Sequence, residues 1–213
     1  MSRSTGGRAW RLGFMLLMTQ FIVGAENRSS VDGFVERAYR MRACAFGLGF
    51  VCLASVLLQV SAHPLTWMLL GFNALGWPLL ARLLALRSPD PAKAETRNLL
   101  IDSAMGGVWI TFMQFNLLPS VLIALILAID KMHFGGWRLL MRGFAVQLAA
   151  CILAAAIHGL AFAPQTTMLN ILAALPLLIT YPLVMSASAY TLSRTVRDQN
   201  RQLVELHHAG LDG

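Results

Sequence analysis

Asp102 is a carboxylate set deep in an apolar stretch, because no Asp, Glu, Lys or Arg follows it until Asp130. An ionisable group at membrane depth is costly and points to function by default. Helical spacing puts Glu95, Asn98, Asp102, Met105 and Trp109 on one face, running from a charged end to an aromatic midpoint. Such a face can act as a ligand site or a switch. Equally, Asp102 can cap or pair locally, with Arg97 or with an arginine of a neighbouring helix. Asn116 adds an amide at the far end of the same stretch. His63 and His158 form a second candidate pair. Both fall near one end of predicted helices, where two imidazoles can share a proton, a metal or a haem, or each find its own backbone or water partner. Apart from that option no cofactor or metal is expected.

Other chemistry is missing. Cys44, Cys52 and Cys151 form no CxxC pattern and read as small apolar packing residues. There is no Walker loop, dinucleotide fingerprint, HExxH or GxSxG, so no catalytic residue is assigned. Gly106-Gly107 suits close helix packing, with Ser103 and Gly107 as a small-xxx-small pair, and Gly135-Gly136 reads as a loop.

The elements that must position these residues follow from composition. Of 213 residues, 57% are hydrophobic and 13% charged, and mean hydropathy is +0.62. A soluble domain carries roughly 25% charged residues, so this is an integral membrane protein, not a disordered or collagenous one. Segments 43–81, 103–129 and 143–193 contain no charged residue. Breaks at His63-Pro64, Asn116 to Ser120 and Ala163 to Thr166 divide them into six predicted spans, about 43–62, 65–86, 96–116, 119–138, 143–163 and 168–192. For 98–129 a re-entrant hairpin is the alternative to two spans. The expected fold is thus all-α, a polytopic bundle of six transmembrane helices followed by a short cytoplasmic coiled-coil stalk.

All 17 Lys and Arg lie in islands 1–42, 82–98, 130–142 and 194–213, and the three alternate turns carry no charge. That pattern puts both termini on the cytoplasmic side of the membrane. It also assigns the net charge of +7 to topology and anionic lipid, not to nucleic acid. Residues 12–25 resemble a signal peptide, but cleavage would leave Arg28, Arg37, Arg40 and Arg42 outside. An interfacial helix on the cytoplasmic leaflet is preferred. Beyond the last span, Leu192, Val196, Gln199, Leu203 and Leu206 are spaced as a heptad seam. They predict a parallel two-helix stalk and hence a homodimer, with Gln199 weakening the register. A single amphipathic exit helix is the alternative. Three regions result: a segment 1–34 with the interfacial helix, a membrane domain 35–192, and a signalling helix 193–213.

The runs His63-Pro64-Leu65-Thr66-Trp67, Trp77-Pro78, Glu95 to Ala104, Gly106-Gly107-Val108-Trp109 and Phe115 to Ser120, with Ala38 to Arg42 leading into the first span, resemble the second type of bacterial membrane-associated sensor (MASE) domain. The resemblance covers about residues 35–192. It implies a regulatory and anchoring module joined by a helix to a cytoplasmic nucleotide cyclase. The output implied is a GGDEF diguanylate cyclase making cyclic di-GMP from GTP, or else a class III adenylate cyclase. Leu211-Asp212-Gly213 resembles the opening of a GGDEF domain, so a covalently linked cyclase is expected beyond this chain, which is itself no enzyme. A reading from another class is a small membrane transporter or enzyme using Asp102 and the histidines.

Overall fold

The computed structural model describes the backbone of residues 30–211 and, with a few exceptions near its ends, the side chains of residues 33–190. The predicted interfacial helix at 12–25 lies outside the described residues. So do the side chains of Leu192, Val196, Gln199, Leu203 and Leu206. Among the described residues the structure is all-helical: α1 (Ser30–Leu57), α2 (Pro64–Leu86), α3 (Pro91–Phe112), α4 (Leu117–His158) and α5 (Met168–Leu211). The chain divides into two units, residues 25–181 and residues 1–24 with 182–213. In the second unit, 182–211 is described and continues α5 as helix.

In the first unit, residues 30–181 form the helical body. Val35, Ala38, Arg42, Ala45, Gly49, Cys52 and Val56 of α1 are buried at alternating spacings of three and four, the signature of one inward face. His63 caps α2, its Nδ1 accepting the Leu65 N–H at 3.2 Å, and Pro64 stands where no helical N–H is needed. Within α2, Phe72–Gly76 is a π-helical turn immediately before Trp77-Pro78. Proline cannot donate to the carbonyl four residues back, and a wider turn accommodates that defect.

Asp90 caps α3 by accepting the Lys93 N–H at 3.0 Å. That bond, reinforced by the Lys93 side chain at 3.0 Å, holds its carboxyl below the usual range. α3 packs against α4 through its small residues. A Cβ at Gly107 would overlap the Gln147 carbonyl oxygen and lie 3.0 Å from Cys151 N, and one at Gly106 would overlap the Leu127 side chain.

Leu127 and Gln147 belong to different arms of α4. The 42-residue helix breaks at Gly136 (φ 60, ψ −156), a conformation essentially reserved for glycine. A Cβ at Gly143 would overlap Lys131, so the two arms fold back on each other. Sequence reading placed a loop at Gly135-Gly136 between two spans, whereas the reversal needs little more than the one glycine at 136. The other boundaries shift as well. The first helix ends at Leu57, the third ends at Phe112, and the last runs past residue 192 to Leu211.

Among the described residues, four stretches are long and apolar enough to cross a membrane: Gly33–Leu57, Pro64–Leu86, Leu117–His158 and Met168–Tyr190. α3, with Lys93, Glu95, Arg97 and Asp102, is not among them. Polarity is inverted relative to a soluble protein. Leu148, Ile152, Leu153 and Ile157 are exposed, while Arg42, Glu95, Asp102, Lys131 and Asn170 are buried. Lipid is the solvent that suits such a surface.

Candidate functional site

Glu95 and Asp102 lie seven residues apart, two turns along one face of α3. α1 presents Arg42 to both. Its Nη2 donates to Glu95 Oε2 at 2.8 Å and its Nε to Asp102 Oδ2 at 3.1 Å. The other Asp102 oxygen accepts the Trp77 indole N–H at 2.6 Å, from just beyond the π turn of α2. Between the carboxylates, Asn98 Nδ2 donates to the Ala81 carbonyl at 3.0 Å. Arg42, Glu95, Asn98 and Asp102 are at most 6% exposed. One guanidinium therefore bridges two carboxylates and ties α1, α2 and α3 together. The pairing is incomplete, because Arg42 Nη1 and Glu95 Oε1 are buried without partners. Buried ion pairs gain little net stability over apolar packing but strongly penalise loss of one member.

Further charges stand on α4. Lys131 is 1% exposed and donates to the Leu127 carbonyl at 2.9 Å. Asp130 accepts a hydrogen bond from the Tyr181 hydroxyl of α5. A cavity of about 60 Å³ is lined by Asn73, Asp102 and Asp130 among apolar side chains that include Trp109 and Leu177. It has room for a few waters or one small ion, well short of an organic-ligand pocket.

At the other end of the body the turns that carry no charge meet. Asn116 Nδ2 donates to the Gln165 carbonyl at 2.7 Å, and Thr166 Oγ1 donates to Asn116 Oδ1 at 3.0 Å. Asn116 therefore fastens the α3–α4 turn to the loop preceding α5. His63 and His158 are both exposed and line one cavity of about 230 Å³. His158 also stacks edge-on against Phe112 at 4.9 Å. Among the described residues no group of three His, Cys, Asp or Glu is arranged to hold a metal.

Of the residues singled out from sequence, the structure gathers Glu95, Asn98 and Asp102 into the cluster. Trp109 extends the same face into an apolar core with Leu53, Leu57, Leu70 and Met113. Arg97 is exposed and makes no bond to Asp102, whose cationic partner is Arg42 of the neighbouring α1. Sequence reasoning missed Arg42, Trp77, Lys131, Asn73 and the Asp130–Tyr181 pair. Arg42 was legible, since it falls in register on the buried face of α1.

The profile of the MASE2 domain matches residues 37–125. This segment, about two fifths of the chain, is similar to a MASE2 domain. Arg42, Trp77, Glu95 and Asp102 all lie within it. Two curated relatives extend the similarity beyond the MASE2 segment. They are the probable diguanylate cyclase DgcC of Escherichia coli (strain K12) and its counterpart in Escherichia coli O6:H1 (strain CFT073). Each is 30% identical over 181 residues, covering 84% of this chain and 48% of the relative. The chain spans about half the length of the curated relatives it matches. No solved structure matches it. The chain thus joins helices apolar enough to cross a membrane to a segment similar to a membrane sensor domain, and it is similar over about half the length of a probable diguanylate cyclase.

Proposed function

We propose that this chain is the anchoring and regulatory membrane domain of a nucleotide cyclase, with six spans, both termini cytoplasmic in a bacterial inner membrane, and a homodimeric stalk. The observation that carries the reading is α5, a single helix from apolar Met168 to Leu211 that brings the last span directly into the polar exit segment. The likeness to DgcC favours a diguanylate cyclase as the output, with an adenylate cyclase as the alternative.

The helix lengths support six spans. α3 is 22 residues, about 33 Å at the usual rise and enough to cross about 30 Å of hydrocarbon. Its charges are accommodated because Glu95 and Asp102 face Arg42. The break at Gly136 gives α4 two arms of comparable length. Two separate helices across 98–129 favour spans over a re-entrant hairpin.

In this reading residues 1–34 precede the bundle, 35–192 form it and 193–213 transmit its state. The cluster of Arg42, Glu95, Asp102 and Trp77 is the element that sets helix arrangement. A signal alters output only by preferring one of two arrangements, and about 1–3 kcal/mol of coupling suffices. Asp102 has both oxygens engaged, which favours this role over that of a transporter ligand. Cysteine crosslinking in native membranes tests the stalk, using V196C and L203C with Cys44, Cys52 and Cys151 replaced. Disulfide-linked dimers are expected for at least one of the two in whole protein that retains cyclase output. Monomer at both positions in active protein refutes the dimeric stalk.

A further inference from the structure

We infer that the cavity whose polar wall comes from α2, α3 and α4 is a binding site for a sodium-sized monovalent cation, held by Asn73 Oδ1 and the free oxygen valences of Asp130, with Asp102 supplying charge at the cavity wall. The inference goes beyond the proposed output and does not depend on it.

Asn73 is the first observation. It is 6% exposed, lines the cavity, and its Oδ1 has no hydrogen-bond partner. A buried amide oxygen without a partner is costly. It stands in the π-helical turn Phe72–Gly76, a widened turn of the kind that re-aims side chains at functional sites.

Charge is the second observation. Asp102 and Asp130 line the cavity, and Glu95 lies on the face of Asp102. The cations in the same interior are Arg42 and Lys131. Glu95 and Asp102 are buried and Asp130 is part-buried, so three carboxylates against these two cations leave one negative charge over at a wall largely shielded from water. Tyr181 donates to one oxygen of Asp130 and supplies no formal charge. Lys131 donates to the Leu127 carbonyl. A single positive charge in the cavity balances the set.

Ligand chemistry gives the class. An amide oxygen and carboxylate oxygens are hard donors, suited to hard cations and not to soft metals. A volume of about 60 Å³ admits a largely dehydrated small ion with a water or two. Magnesium is less suited, because it demands near-octahedral coordination and keeps its waters. A divalent ion would also overshoot the one missing charge.

The test uses the full chain in lipid nanodiscs, titrated with sodium chloride against choline chloride at constant ionic strength. A saturable rise in the unfolding midpoint is expected with sodium, and little or none with choline. N73L and D130N are each expected to abolish the sodium-dependent rise. A second measurement on the unmodified chain needs no variant: saturable excess broadening of the ²³Na resonance, reversed by lithium. Midpoints identical in sodium and choline together with no excess broadening would overturn the site. So would a full sodium response in both variants. A midpoint that rises on acidification and ignores sodium would assign the missing charge to a proton and overturn it too.

Discussion

Replacing Arg42 by methionine probes the ion cluster most directly. Methionine keeps most of the stem volume of arginine, so packing along the α1 face changes little. What is lost is the guanidinium that sits 2.8 Å from Glu95 and 3.1 Å from Asp102. Two carboxylates, at 1% and 2% exposure, are then left facing no cation. Removing one partner of a buried pair costs about 3–5 kcal/mol. For a chain of this size that corresponds to a fall of about 6–20 °C in the unfolding midpoint. D102N is the control. An amide oxygen still accepts from Trp77, and the Arg42–Glu95 pair survives, so the loss is about 1–3 kcal/mol. The triple variant R42M/E95Q/D102N removes every charge of the cluster and is expected to recover most of the R42M loss, because a neutral interior escapes the desolvation penalty. The assay is thermal unfolding in nanodiscs, followed by tryptophan fluorescence, which also reports on Trp77. An R42M midpoint no lower than that of D102N, or a triple variant worse than R42M, refutes the claim that unpaired charge dominates this site.

Three further outcomes follow from the packing and the caps. G107A is expected to destabilise by about 1–3 kcal/mol, since its Cβ meets the Gln147 backbone; G106A should cost less, because the Leu127 side chain can move, and unfolding midpoints rank the two. G136A forces a β-carbon into φ 60, ψ −156 and should reduce the yield of monodisperse protein on size-exclusion chromatography, whereas G135A, at ordinary helical geometry, should reduce it less. D90A removes an exposed cap. The Asp90 carboxyl lies below the ordinary value because the Lys93 N–H bonds its ionised form, so the cap acts at neutral pH and fades as pH falls through that lowered value. The midpoint difference between D90A and the parent should therefore shrink on acidification; a constant difference would count against the cap.

Much of the helix order was legible because membrane sequence is punctuated by a few strong signals. Pro64 opens a helix where proline costs no hydrogen bond, as read; Asp90 and Pro91 cap and open the third helix five residues before its expected start at 96. The turn at Asn116 was visible for the same reason. Its side chain proved to fasten the neighbouring loop, a role that depends on chain more than forty residues away. Helix ends were less legible. Leu58, Val60 and Ala62 are apolar enough to continue α1, yet the chain turns there, with Ser61 at φ 48. Reversal at Gly136 was underestimated because a Gly-Gly pair reads as a loop, whereas a single residue in a glycine-only conformation can reverse a helix without one.

The misreading of Arg42 has a general cause. Counting Lys and Arg at the ends of apolar segments treats each as a loop charge that faces the cytoplasm. Charge counting has no term for direction around the helix. Read by register, Arg42 continues the buried series Val35, Ala38, Ala45, Cys52 and Val56, while Arg40, two residues earlier, lies off that line and pairs with Glu36. An arginine on an inward face at the edge of a span must find a carboxylate, and α3 offers it two on one face, at Glu95 and Asp102. Asp102 and Arg42 are therefore one feature seen twice: each makes the other tolerable at depth, and neither identifies the site alone. The same logic explains why Trp77 was silent in sequence. An indole N–H is indistinguishable from a lipid-facing aromatic until the helix phase is known, and the π turn at Phe72–Gly76 shifts that phase by one residue just before it.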